Sequence, residues 1–334
     1  MKKIDSKLNA PIKSNYGTGR KKTLSEKSVD GFQKGPSPEK LDADVMKDLQ
    51  KTIATGAGEV SRLERPMTQG EKSRFKMYFP KLDVEKAVVS GEATPVYNCI
   101  SWTAGVTDEW CWPPSMYPGV SEKEAFDKFY ASYGFKPAPE GGEVARWRNT
   151  DGLTHGSVSG PGHGPRWESK CGQDLKIQHD KNELESDVYG WIDSYYTKTE
   201  EASPVRDKMK ISDNVKAEIK SRADRVSSKV KNKFNKLYSE WQTFRKDPVV
   251  QFSSNPKDYC KTGAFDEITK MGISAIPLLM EKMSGGDFFC LQALDVIVKN
   301  NSEKVGDKIS LKPEEVSNSE QNKSILIMDK WING

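Results

Sequence analysis

Apolar positions are sparse over residues 1–60, where Lys, Ser, Gly, Asp and Pro dominate and Lys34-Gly35-Pro36-Ser37-Pro38 and Thr55-Gly56-Ala57-Gly58 interrupt any periodicity. So few large apolar groups do not offset the entropy of ordering the chain, which predicts a flexible N-terminal tail with one short helical stretch over 41–53. From residue 61 aromatic positions become frequent. Ser121 and Glu124 open a segment whose apolar residues Ala125, Phe126, Phe129 and Tyr130 recur at helical spacing, and Gly134 closes it. Strand patterns follow at 143–147, 154–159 and 165–170, separated by Asn149-Thr150-Asp151-Gly152 and by Gly160-Pro161-Gly162-His163-Gly164. Gly-Pro-Gly is turn chemistry, so the last two strands read as a hairpin, closing a domain near Tyr189-Gly190-Trp191. A helix followed by an antiparallel sheet is an α+β layout.

Residues 198–210 are polar and contain Pro204, as a linker would. Beyond them Val215, Ile219, Ala223, Val226, Val230, Phe234, Leu237 and Trp241 recur every three or four positions, predicting one long helix over 212–245. Further helices are expected over 264–271, 274–283 and 288–300. The division is thus a tail (1–60), an α+β domain (61–197), a linker (198–210) and an all-α domain (211–334).

Composition narrows the function classes. With 52 basic and 48 acidic residues the net charge is only +4, too even for nucleic acid to be an expected partner. The basic positions between Lys216 and Lys236 interleave with the apolar seam and read as the solvated face of a packed helix. No run of 18 apolar residues exists, so no membrane-spanning helix is predicted. Met1-Lys2-Lys3 lacks the apolar stretch of a secretory signal, so a cytoplasmic product is expected, exported if at all by a route other than Sec. Five cysteines at irregular spacings point to reduced thiols rather than a disulfide framework.

The chemistry-bearing residues cluster in the middle of the chain. Cys99, in Tyr97-Asn98-Cys99-Ile100-Ser101-Trp102, opens a short apolar segment stopped by Gly105, which places its thiol in the first turn of a helix, where unpaired N–H groups favour a thiolate. His155 begins a strand and is followed by Gly156, small enough to admit another group. A nucleophilic cysteine and a basic histidine from distant parts of the chain are what a thiol hydrolase assembles. His155, His163, Cys171 and His179 are eight residues apart in turn, without the close ligand pairs of a zinc site, so neither metal nor cofactor is expected. His179 reads as a helper of the histidine site or as an exposed helix cap, and His163 as a loop residue. Trp102, Trp112 and Trp167 are expected to wall a cleft.

Residues 95–190 resemble a bacterial domain family marked by a Tyr-Asn-Cys-Ile-Ala-Trp box, a Trp-Pro element, a Thr-His strand, a Trp-Thr-Ser-Lys strand and an Ile-Glu-His segment ending in Tyr-Gly. The counterparts here are Tyr97–Trp102, Trp110–Pro113, Thr154-His155, Trp167-Glu168-Ser169-Lys170, Ile177-Gln178-His179 and Tyr189-Gly190. The Cys-then-His order resembles the papain-like superfamily, including NlpC-type peptidases. That resemblance implies a Cys-bearing helix on a small antiparallel sheet, with Cys99 as nucleophile, His155 as base, and Glu168 or Ser169 orienting the imidazole. Alternation along a strand lets only one of those two face His155. Papains place a glutamine six residues before the cysteine; Ala93 stands there, so Asn98 and the Cys99 N–H are expected to bind an oxyanion. The expected function is a cysteine hydrolase or acyl transferase acting on a peptide or protein amide, of a kind that suits a bacterial effector or toxin, with the helical domain binding a protein partner. The rival expectation is a binding protein with a degenerate papain-like site.

Overall fold

The computed structural model describes residues 64–138, 140–160, 166–199, 209–316 and 318–334. The predicted tail, the helical stretch 41–53, the His163 turn and most of the linker lie outside them. The described elements begin with β1 (Arg65–Pro66), α1 (Gln69–Tyr78) and β2 (Val88–Gly91). Thr68 caps α1 reciprocally: its hydroxyl accepts the Glu71 N–H and the Glu71 carboxylate accepts the Thr68 N–H. Three helices follow, α2 (Cys99–Thr103), α3 (Pro113–Met116) and α4 (Glu122–Ala131), then strands β3 (Phe135–Ala138), β4 (Val144–Asn149), β5 (Gly152–Val158), β6 (Trp167–Lys170), β7 (Lys176–His179) and β8 (Trp191–Lys198). The α4 boundaries follow the sequence cues, with Ser121 accepting the Glu124 N–H at the start and Gly134 at a left-handed φ of 76° just beyond the end.

The described strands form one eight-stranded antiparallel sheet in the order β1-β2-β7-β6-β5-β4-β8-β3. Mixed helix and antiparallel sheet is therefore the class. One strand reading is corrected and one is extended. β4 and β5 also form a tight hairpin through Asn149–Gly152, where the Asn149 side chain accepts the Asp151 N–H at 2.9 Å, while β5 and β6 pair antiparallel as the hairpin reading has it, at Val158 and Glu168 among the described residues. The sheet also does not close at Trp191: β8 runs on to Lys198 and sits inside it, between β4 and β3. In the β4–β5 ladder Trp147 pairs with His155 but Arg148 pairs with Leu153, leaving Thr154 as a bulge. A bulge breaks the two-residue alternation. Leu153 accordingly joins one core and His155 faces the other.

The two cores lie on opposite faces of the sheet. One packs Ile100, Trp112, Phe126, Phe129 and Tyr130 from α2–α4 onto Val144, Val158 and Tyr196. The other packs Phe75 and Phe79 onto Trp147, Ile177 and Tyr189, together with Phe252 from the helical part.

That part comprises α5 (Asp213–Asp224), α6 (Ser228–Phe244), α7 (Pro248–Gln251), α8 (Gly263–Lys270), α9 (Ile276–Ser284), α10 (Cys290–Asn300), α11 (Ser302–Ile309), α12 (Pro313–Val316) and α13 (Glu320–Asn333). The single long helix predicted over 212–245 is two, broken at Arg225–Ser227, and α13 is an element the periodicity did not announce. Their shared core of Ile219, Trp241, Ile268, Leu279, Leu294 and Ile327 also takes in Trp110 from the Cys-bearing region. Residues from Glu64 onward thus pack as one compact unit.

Candidate active site

Cys99 is the first residue of α2, and Asn98 caps that helix: its Oδ1 accepts the Ser101 N–H at 2.9 Å. The amide end of the same side chain donates to the Cys111 carbonyl at 2.7 Å and to the Ser254 carbonyl at 3.3 Å. One residue therefore fixes the helix start and aims two N–H bonds beside the thiol. Asn98→Ala is expected to cost about 1–2 kcal/mol in urea unfolding. Asn98→Ser, which keeps a capping oxygen, should recover part of that loss; a loss below about 0.3 kcal/mol for the alanine variant would refute the role.

The Cys99 thiol is fully buried, and its sulfur lies 2.9 Å from Ser254 Oγ. Burial pushes the thiol up to about 11; the Ser254 hydroxyl, the Gly156 and Ile100 N–H groups and the Lys170 charge all pull it back down. The intrinsic surroundings favour a thiolate, and only exclusion of water opposes it. Lys170 is itself buried, with its ammonium donating to the carbonyls of Thr94, Gly172 and Asp174 at 3.1, 2.7 and 2.6 Å. Burial pushes it down to about 7.

His155 does not meet this thiol. Gly156 is the residue that turns toward α2: a side-chain carbon there would come within 3.3 Å of Ile100, Thr103 and Tyr130. His155 points the opposite way, stacked on Tyr189 at 3.8 Å and 8° and edge-on to Trp147. Among the described residues neither ring nitrogen has a hydrogen-bond partner, although His155 is fully buried. Burial holds the imidazole well below its ordinary range, with His179 adding to the shift. The neutral imidazole and the neutral thiol form no hydrogen bond with each other.

The candidates for the orienting group separate as alternation requires. Glu168 engages Ser90 and Lys176, and Lys176 in turn covers the Trp102 ring at 3.6 Å. Ser169 lies on the His155 side, but its hydroxyl is 2.8 Å from both Ser157 Oγ and His179 Nε2. Neither bonds His155. His179 is a buried residue at the end of β7, which corrects its reading as an exposed cap. Burial pushes it down to about 4. Of the three tryptophans, Trp112 borders a cavity of about 460 Å³ also lined by Thr154, Tyr189, Ser253 and Asn255. Trp102 packs by Tyr97 and Trp167 by Tyr195. Among the described residues no three His, Cys, Asp or Glu side chains converge as a metal site requires.

Comparison with known proteins places a boundary around this region. Residues 88–197 match a family model described as a domain of unknown function (DUF7689). The DUF7689 segment runs from β2 to β8 and holds Cys99, His155, Glu168, Ser169 and His179. No curated protein matches the chain, and no solved structure does. Ser254, the thiol's direct partner, lies outside the DUF7689 segment, as does the Phe252 carbonyl that Tyr189 binds at 3.1 Å. Sequence reasoning did not single out Ser254, the Trp110 indole that donates to its carbonyl at 3.0 Å, or the stacking role of Tyr189. Trp110 and Tyr189 fall within the quoted motifs, so their positions were visible and their duties were not. Ser254 sits in Ser253-Ser254-Asn255-Pro256, which signals only a turn or helix start.

Proposed function

We propose that this chain is a papain-like cysteine hydrolase or acyl transferase acting on a peptide amide, held latent in this conformation. The observation that carries the reading is His155: a buried imidazole with both nitrogens unpartnered, one residue from the Gly156 N–H that faces the thiol. An unsatisfied buried polar group costs about 1–3 kcal/mol, and a site for proton transfer is a reason to retain one. In the reaction, His155 takes the Cys99 proton and the thiolate sulfur bonds to the amide carbon. The carbonyl oxygen becomes an oxyanion held by the Asn98 amide and the Trp110 indole N–H, which in this structure both donate to a carbonyl at that place. Collapse breaks the C–N bond, the imidazolium protonates the departing amine, and water or an acceptor amine then displaces the thioester. On this reading the thiol and imidazole meet only after the His155 side chain leaves its stack on Tyr189 and turns toward the α2 side of the sheet.

The sealed, protonated thiol favours a second reading, a binding protein with a degenerate site. Acylation separates the two. With p-nitrophenyl acetate, intact-protein and peptide mass spectrometry should find slow acetylation at Cys99, lost in Cys99→Ala and slowed by about 10²-fold or more in His155→Ala. Acetylation that never reaches Cys99, or that proceeds equally without His155, identifies the binding protein instead. A spanning helix plays no part in either reading, since among the described residues none is long and apolar enough to cross a membrane.

A further inference from the structure

The segment Gln251–Asn255 crosses the thiol region in the way a bound peptide would. Its carbonyls are held one after another: Gln251 O by the Gln173 N–H at 2.7 Å, Phe252 O by the Tyr189 hydroxyl at 3.1 Å, Ser253 O by the Tyr259 hydroxyl at 2.7 Å. The Ser254 carbonyl accepts from the Trp110 indole at 3.0 Å and the Asn98 amide at 3.3 Å. Three of these four carbonyls are thus held by residues of the Cys-bearing region, and that recognition reads main chain rather than any one side chain. Gln251 is the last residue of α7 and Phe252 keeps helical backbone as its C-cap, so the segment leaves a helix end and turns non-helical over Ser253–Asn255. Phe252 is fully buried, its ring lying 5.3, 5.5 and 5.0 Å from those of Phe75, Tyr78 and Phe79. Ser253 faces the cavity. Ser254, 1% exposed, turns back onto the Cys99 sulfur. Gly172 completes the fit: it sits at a left-handed φ of 56°, and a side-chain carbon there would fall 2.1 Å from Gln251 O and 2.6 Å from the Phe252 carbonyl carbon.

We propose, resting on the thiol-hydrolase reading, that Gln251–Asn255 is an internal occupant of the substrate cleft. The substrate class it reports is a peptide with an aromatic side chain two residues ahead of a small residue at the thiol. The aromatic side chain enters the Phe75–Tyr78–Phe79 pocket, and Asn98 and Trp110 receive the carbonyl of the small residue. The segment blocks without being cut because the sulfur's hydrogen-bond partner is the Ser254 hydroxyl. Release of the segment readmits water to Cys99 and opens the pocket to a peptide supplied in trans.

The test uses the full chain carrying Ser254→Arg, whose side chain has no room at a 1% exposed position. Site-resolved iodoacetamide labelling at pH 7.5 is read by mass spectrometry, alongside circular dichroism to confirm folding. Cys99 should label about tenfold faster than in the wild type, the factor that 1.4 kcal/mol of lost docking produces. A synthetic peptide of residues 249–257 at millimolar concentration should restore protection, and the same peptide with Phe252→Ala should not. Gly172→Ala displaces the segment from its other end and gives the same readout should Ser254→Arg fail to fold. Wild-type labelling in either folded variant overturns the proposal, and so does equal protection by the two peptides. If adding His155→Ala leaves both the faster labelling and the peptide protection unchanged, the cleft is a peptide-binding site and the hydrolase reading fails by itself.

Discussion

Asp287→Ala is expected to destabilise the protein by about 3–5 kcal/mol, the usual result of removing one partner from a buried ion pair. Arg245 and Asp287 form a two-pronged pair at 2.8 and 2.7 Å, with side chains only 9% and 18% exposed. The Tyr238 hydroxyl donates to the same carboxylate. The guanidinium is enclosed by the Trp241 and Phe289 rings, 4.7 and 5.2 Å from its centre. Without Asp287 a cation remains among aromatic rings and has lost the carboxylate that offset its burial. Arg245 also caps the end of α6, three residues before the start of α7, which leads into the segment that covers Cys99. The loss is therefore felt at the stem of that segment. Urea unfolding checks the figure through the midpoint at constant slope. The double variant Arg245→Met/Asp287→Leu should regain most of the loss, because apolar groups of similar volume need no charge partner. A single-variant loss under about 1 kcal/mol would show that solvent already screens the pair.

The helices with chemical punctuation were readable from sequence, and the parts set by distant contacts were not. Ser121 and Gly134 bracket α4 because a cap and a left-handed residue act locally. The break at Arg225–Ser227 was hidden because Val215, Ile219, Ala223, Val226 and Val230 keep a core-facing spacing straight through it. Strands β2 and β7 have four residues each, too few for an alternation to register, and β7 is buried along its whole length. At the site, the residue types of Cys99, Asn98 and His155 were legible. Their relative direction was not, since one bulged residue, Thr154, decides which face of the sheet His155 takes. Nor does any local pattern announce that Ser254, 155 residues away, covers the thiol: that contact exists only once α6 and α7 have docked.

Acid should destabilise this protein through its buried histidines. His179 ends a hydrogen-bonded chain whose direction is fixed at both ends. The Trp147 indole can only donate, to Ser157 Oγ at 2.8 Å, and the Asp180 carbonyl, 2.8 Å from His179 Nδ1, can only accept. Ser157 therefore donates to Ser169, and Ser169 to His179 Nε2. A proton placed on Nε2 would make that nitrogen a donor facing a donor, and reversing the hydroxyls would leave Ser157 without an acceptor. Burial supplies the largest part of the shift that takes His179 down to about 4, and the nearby Arg166 charge adds to it. The unfolded histidine titrates near 6.5, so between those values the unfolded chain binds the proton and the folded chain does not. The stability is present in full above about pH 6.5 and is lost as pH falls toward 4, by about 3 kcal/mol from this one residue. His155, whose imidazole is also held well below its ordinary range, steepens the loss. Urea midpoints should fall steadily from pH 7 to pH 4.5. His179→Gln should start lower at pH 7 and fall less over the same range. A midpoint that stays flat between pH 7 and 4.5 would mean the imidazoles are hydrated in the folded state, and would remove the desolvated base that the proposed thiol chemistry requires.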